Sequence, residues 1–304
     1  MVVKNYPRII LAVLLVSICS VNTAFSADST SVPWSLLPRV TALDESQRDV
    51  LMDELKIEPN YGKCKGMMYQ CLTAKKPDPT AVRFANFGAY LVSKGVPAGS
   101  LGFLAREQSK FINDEMPQVF TYTDSPFLGS EKAKIVITEF AEFKCIYCEE
   151  LSPVLKKLVA ESNGKVRLVF KHFPLKNHPN TLFSSRAAQA ANRQGKFWEM
   201  SDLLYRNFNK QNPEDVMEYA KTLGMNLERF KKDLEDPKIE QLIVRDKMEG
   251  VRAKVVGTPT LFINGKMYNL RHDEAFLKNL IDEEAEHLGI EPPYPDWVYI
   301  KPNR

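Results

Sequence analysis

Apolar positions change their spacing twice along this chain. Ile9 to Ile18 is a nearly unbroken apolar run that follows Lys4 and Arg8. After it, Val50, Leu51, Leu55 and Ile57 recur at helical spacing, and Thr41-Ala42-Leu43-Asp44 reads as the start of that helix. Pro59-Asn60-Tyr61-Gly62 is a turn, Cys64 to Leu72 a short segment, and Pro77-Asp78-Pro79 a break. Helices are expected at about 80–94 and 98–114, with Lys94-Gly95-Val96-Pro97 between them. No strand is expected before residue 117.

Beyond that point the pattern shortens towards period two. Val119 to Thr123 alternates weakly, and Lys134 to Ala141 is rich in β-branched residues, as a buried strand is. A helix follows Cys145 and runs to Asn163-Gly164. Val166 to Phe173 is a second strand. Residues 179–254 read as several helices, broken near Gly195, Pro213, Gly224 and Pro237. Thr260 to Ile263 and Lys266 to Leu270 flank Asn264-Gly265 as a hairpin. A last helix covers about 272–288, and a proline-rich tail follows at 290–304. The order is helices, then β-α-β, then a block of helices, then β-β-α, which is an α/β fold behind an all-α segment.

The first 27 residues stand apart. A basic start, a short apolar stretch and small residues at Ala24, Ser26 and Ala27 make a signal peptide. Ten apolar residues are too few to span a bilayer. Removing residues 1–27 takes Lys4 and Arg8 and no acid, so the formal charge falls from +3 to +1. A nearly neutral chain offers no electrostatic case for nucleic acid. The expected destination is the periplasm or another exported compartment, where disulfides persist.

Export gives the cysteines their meaning. Without Cys19, four remain: Cys64, Cys71, Cys145 and Cys148. Cys145-Ile146-Tyr147-Cys148 follows a buried-type strand and opens a helix. At a helix N-terminus free N–H groups and the dipole favour an anion, here the thiolate that attacks disulfides. Cys148, about one turn on, is close enough to resolve a mixed disulfide. Cys145 is therefore the expected nucleophile, facing solvent, with Lys144 adding positive charge. Cys148 is the expected resolving thiol. Cys64 and Cys71, separated by six residues, lack the usual zinc-knuckle spacing. On a continuous helix they would lie ~10.5 Å apart, beyond the roughly 7 Å that a disulfide allows. A turn, which Gly66 permits, would let them pair. A structural bridge, a redox relay with Cys145/Cys148 and soft-metal binding such as Cu(I) all remain open for them. No resident metal or cofactor is expected.

Four segments carry a family resemblance. They are Ile-Thr-Glu-Phe-Ala-Glu-Phe-Lys-Cys-Ile-Tyr-Cys (137–148), Phe-Lys-His-Phe-Pro-Leu (170–175), Gln-Gly-Lys-Phe-Trp (194–198) and Gly-Thr-Pro-Thr-Leu-Phe-Ile-Asn-Gly (257–265). With them, residues about 118–288 resemble the DsbA-like branch of the thioredoxin superfamily. The resemblance implies a thioredoxin fold at 116–289 with a helical insertion at about 179–254; the small all-α segment at 28–115 lies outside it. It implies thiol–disulfide exchange on exported proteins that carry cysteines, with a membrane or periplasmic redox partner. It makes Pro259 the cis-proline and Thr258 its neighbour in a substrate-holding loop. It makes Glu139 a buried acid that moves the resolving thiol's proton, with a surface glutamate as the alternative. Pro153 matches a helix kink, and His172 recurs without a catalytic role. The dipeptide Ile146-Tyr147 departs from the best-known members and leans, with Thr258, away from the strongest oxidants. The helices of 28–115 are expected to pack on the core or to mediate a homo-oligomer. The rival function is a copper- or partner-binding protein that uses Cys64/Cys71.

Overall fold

The computed structural model describes residues 32–295. The expected signal peptide at 1–27 and residues 296–304 of the expected tail lie outside the described residues. Five short and medium helices come first: α1 (Pro38–Thr41), α2 (Glu45–Ile57), α3 (Met68–Leu72), α4 (Pro79–Ser93) and α5 (Leu101–Ile112). Asp44 caps α2 by accepting from the Gln47 N–H, so the helix begins one residue after the expected start. Asp78 caps α4, and Pro79 takes its first position.

A five-stranded sheet follows, in the order β1-β3-β2-β4-β5. Its strands are β1 (Phe127–Gly129), β2 (Ile135–Ala141), β3 (Val166–His172), β4 (Thr260–Ile263) and β5 (Lys266–Tyr268). β2 and β3 pair in parallel, joined by α6 (Ile146–Glu161), as a parallel pair requires a crossover. β4 pairs antiparallel with β2, and β5 with β4. Asn264 and Gly265 turn that hairpin with φ of 50° and 81°. Gly265 has a second reason to be glycine, since a Cβ there would stand 2.2 Å from the Gln118 carbonyl oxygen. Between β3 and β4 lie α7 (Thr181–Asn192), α8 (Phe197–Arg206), α9 (Pro213–Thr222), α10 (Leu227–Leu234) and α11 (Pro237–Arg252). The chain closes with α12 (Glu274–His287).

Val119–Thr123 forms no strand. The Thr121 N–H is taken by the Glu249 carboxylate, and Gln118 just before the segment donates to the Gly265 carbonyl. The strand on the outer edge of β3 is β1, antiparallel, with Phe127 opposite Val169. Three residues are too short to show a period in the sequence.

The two faces of β2 serve different ends. Phe140 joins Phe120, Phe173 and Phe262 in one aromatic core. Ile137, Glu139 and Ala141 lie on the opposite face by strand alternation. Ala141, Phe143, Cys145 and Cys148 belong to a second core built mostly from the insertion, with Phe170, Phe197, Met200 and Tyr205. Lys171 of β3 is fully buried and is matched by Asp246 at 2.7 Å and Glu249 at 2.9 Å, both on α11. That pairing ties the insertion to the sheet.

The first helices pack on the thioredoxin portion through α5 and α12. Buried Arg83 reaches Glu286 and Asp282 of α12. Lys266 Nζ donates to the Ile112 carbonyl at 3.2 Å and meets Glu284 at 2.9 Å. Cys64 and Cys71 form a disulfide with Cα atoms 5.8 Å apart. The approach is possible because helix α3 starts only at Met68, so Cys64 sits in a folded-back loop. That loop is closed by Asn60 N–H to the Gly66 carbonyl and Met68 N–H to the Glu58 carbonyl, each 2.8 Å. Replacing both cysteines by serine is expected to cost about 2.5 kcal/mol of stability, from the entropy of so short a closed loop. Urea unfolding of the double variant against the wild type measures it, and an unchanged midpoint would count against that value.

Candidate active site

The site is assembled at the N-terminus of α6. Cys145 is the N-cap, with φ −105° and ψ 114°, and its carbonyl accepts from the N–H groups of Cys148 at 3.1 Å and Glu149 at 3.2 Å. Its side chain therefore meets the free N–H end of the helix. Both cysteines are thiols in this structure. Cys145 is 6% exposed rather than open to solvent, because the Thr258 loop covers it. The Cys145 thiol donates to the Thr258 carbonyl at 3.2 Å. The Thr258–Pro259 peptide is cis. Cys148 is fully buried.

The two thiols have opposite acidities. Cys145 is pulled down to about 6, first by the hydrogen bond from the Cys148 thiol, then by Thr258 and by main-chain N–H groups of Cys148 and Tyr147, against the effect of burial. Burial pushes Cys148 strongly up, and the hydrogen bond to Cys145 adds to it. Charge therefore concentrates on the first sulfur. Lys144 is engaged elsewhere. Its Nζ donates to the Phe208 carbonyl and lies 5.3 Å from the Phe208 ring centre, so its charge is spent on the insertion.

Glu139 is 2% exposed, six residues before Cys145 on β2. Burial pushes its carboxyl up to about 8, and its Oε1 has no hydrogen-bond partner among the described residues. Such a group can hold or release a proton close to neutral pH. His172 is fully buried on β3, hydrogen-bonded through Nε2 to Gln189 at 3.3 Å, and pushed down to about 4 by burial. It is neutral and packs among Phe143, Phe170 and Phe197. Pro153 lies inside α6. Among the described residues no group of three or more His, Cys, Asp or Glu is placed to hold a metal. Joined in a disulfide, Cys64 and Cys71 present no thiolate.

The rim around Cys145 is apolar and exposed. Ile146 is 57% exposed, Tyr147 66% and Val256, two residues before Thr258, 97%. The loop 142–144 carries three anchors that the sequence did not announce. Glu142 is fully buried and binds Thr181 Oγ1 and His178 Nδ1 through its two carboxylate oxygens. The Phe143 carbonyl accepts from Gln211 Nε2 at 2.9 Å. Lys144 is held at Phe208 as described. Nothing in the spacing of Gln211, 66 residues beyond Cys145, could have flagged it.

Comparison with known proteins gives the family. The family model described as Thioredoxin matches residues 121–283, more than half of the chain. The chain belongs to the thioredoxin family. Among curated members, the probable disulfide bond formation protein D of Bacillus cereus is 31% identical over 185 residues, which are 57% of this chain and 84% of that protein. The Na(+)/H(+) antiporter NhaA 3 of Salinispora tropica is 36% identical over 142 residues, 46% of this chain, and this chain spans only 22% of its length. Among solved structures, a thioredoxin-like oxidoreductase from Silicibacter pomeroyi DSS-3 is 24% identical with a TM-score of 0.49, over 58% of this chain and 96% of that one. The matched region spans the helical insertion α7–α11, and the helices α1–α5 lie before it. Among the described residues no helix is long and apolar enough to cross a membrane.

Proposed function

We propose that this protein is an exported thiol–disulfide oxidoreductase acting on cysteine-containing exported proteins. A membrane or periplasmic redox partner resets its cysteine pair. One observation carries the reading: an acidified Cys145 at a helix N-terminus, hydrogen-bonded to the loop before cis-Pro259, with a buried Cys148 behind it. Support for the compartment comes from the basic, apolar and small-residue order of residues 1–27.

The chemistry follows from the two acidities. The Cys145 thiolate attacks one sulfur of a disulfide, forming a mixed disulfide and releasing the other sulfur as a thiolate. Cys148 gives up its proton, with the ionised form of Glu139 as the nearby acceptor, and attacks the Cys145 sulfur. The result is a Cys145–Cys148 disulfide and a second released thiolate. Run backwards, the same steps oxidise a dithiol client. The exposed Ile146, Tyr147 and Val256 present an apolar rim to an unfolded chain, and the main chain at Thr258 aligns it.

The direction of flow depends on how far the thiolate is favoured. Thioredoxin combines a pKa of about 7 with about −270 mV, and DsbA combines about 3.5 with about −120 mV. A value of about 6 for Cys145 lies between the two and points to a potential between those of thioredoxin and DsbA. Equilibration with glutathione buffers, read by thiol alkylation and mass spectrometry, tests this. A potential near about −120 mV or below about −270 mV would contradict it.

A further inference from the structure

Exchange in two steps asks different things of the two sulfurs. Cys145 needs a thiolate at rest, and α6 supplies it. Cys148 needs a thiolate only briefly, when it attacks the mixed disulfide, and it sits fully buried among apolar side chains. Burying that charge without a donor is costly. The main chain of Glu142 is one group that meets the Cys148 sulfur, and its hydrogen bond favours the ionised form.

The Glu142 side chain is spent on neither the sulfur nor solvent. It is fully buried, and both oxygens are occupied, one by Thr181 at the start of α7 and one by His178 in the loop before it. Two contacts from the insertion thus fix one residue of the loop that leads into Cys145. The next peptide is fixed as well, since Gln211 donates to the Phe143 carbonyl and itself accepts from Ser184 Oγ at 2.6 Å. A buried carboxylate held this tightly keeps its peptide from rotating.

We propose that Glu142 is a positioning residue for the resolution step: clamped by Thr181 and His178, it holds the main-chain turn that receives the Cys148 thiolate. In that step Cys148 loses its proton to Glu139, its sulfur bonds to the Cys145 sulfur, and the client sulfur leaves with the electron pair of the broken mixed disulfide. The attack by Cys145 depends less on this clamp, because Thr258 and the first N–H groups of α6 also favour its thiolate. The inference rests on the assignment of Cys145 as nucleophile and Cys148 as resolving thiol.

The test separates the two steps. The reduced full-length mature protein is mixed with oxidised glutathione, quenched by acid and alkylation, and weighed over time. Glu142→Ala is expected to slow conversion of the glutathione mixed disulfide to the internal disulfide about tenfold, while formation of the mixed disulfide stays within about twofold. Thr181→Val and His178→Asn each remove one contact and are expected to slow resolution about threefold. Glu142→Gln, which keeps the hydroxyl contact, is expected to fall between Glu142→Ala and wild type. Equal losses in both steps, or no loss in resolution, would overturn the proposal. Should Glu142→Ala not fold, the two single-contact variants decide it alone, and unchanged resolution in both refutes it. A Cys148→Ala chain that forms no glutathione adduct at Cys145 would instead overturn the exchange reading itself, and the proposal with it.

Discussion

Cys145→Ser is expected to lower the rate of disulfide exchange with a reduced test protein by more than about a thousandfold. A serine hydroxyl at the end of α6 is neutral near pH 7, whereas the Cys145 thiol, held down to about 6, is mostly thiolate there. The oxygen can form no disulfide, so the covalent intermediate is lost and not merely slowed. Cys148→Ala has a different signature. It leaves the nucleophile in place and removes resolution, so mixed disulfides accumulate and can be counted by mass spectrometry without reductant. If Cys145→Ser kept activity within about tenfold of wild type, the exchange site would have to lie elsewhere in the chain.

Glu139→Gln is expected to make the reduced protein more stable, by up to about 4 kcal/mol near pH 8. Burial raises this carboxyl to about 8 in the folded protein, from an ordinary value of 4.5. Below pH 4.5 both folded and unfolded chains hold the proton, and the glutamate costs nothing. Between 4.5 and 8 the unfolded chain releases the proton while the folded one keeps it, so stability falls as pH rises. Above 8 both are ionised and the penalty stays level. The glutamine cannot ionise, so its advantage opens above about pH 5 and is complete at about 8. Urea unfolding at pH 4, 6 and 8 reads it, and an advantage independent of pH would contradict the assignment. The same variant is expected to slow resolution by Cys148, which loses its nearby proton acceptor. A residue that weakens the fold at neutral pH yet speeds one step is the usual mark of a functional site.

Strong periods and punctuation made most of the fold legible. β2 and β3 announce themselves through β-branched residues, and Asn264-Gly265 through turn chemistry. The insertion's five helices lie between the breaks at Gly195, Pro213, Gly224 and Pro237. β1 was not legible, because three residues paired on one side carry no period, and Val119–Thr123 mimicked it. In the site, Cys145, Cys148 and Pro259 could be read from spacing and family resemblance. Lys144 was misread, because sequence adjacency says nothing about where a long side chain goes, and it goes to Phe208. The exposure of Cys145 was also misread. A helix end looks open until the loop from residue 258, over a hundred residues later, is laid across it. Glu142, Gln211 and Thr181 act through tertiary contacts, and no local pattern encodes these.

The docking of α4 and α5 against α12 fixes how the molecule comes apart. Arg83 is shared with Asp282 and Glu286, Tyr61 lies against Glu283, and Lys266 donates to the end of α5. Trimming the leading helices would remove Arg83 and Tyr61 from Asp282, Glu283 and Glu286 and uncover the face of α12 that those helices bury. The leading helices and the thioredoxin portion are therefore expected to melt in a single transition, and a chain truncated to begin at the sheet is expected to melt lower than the whole protein.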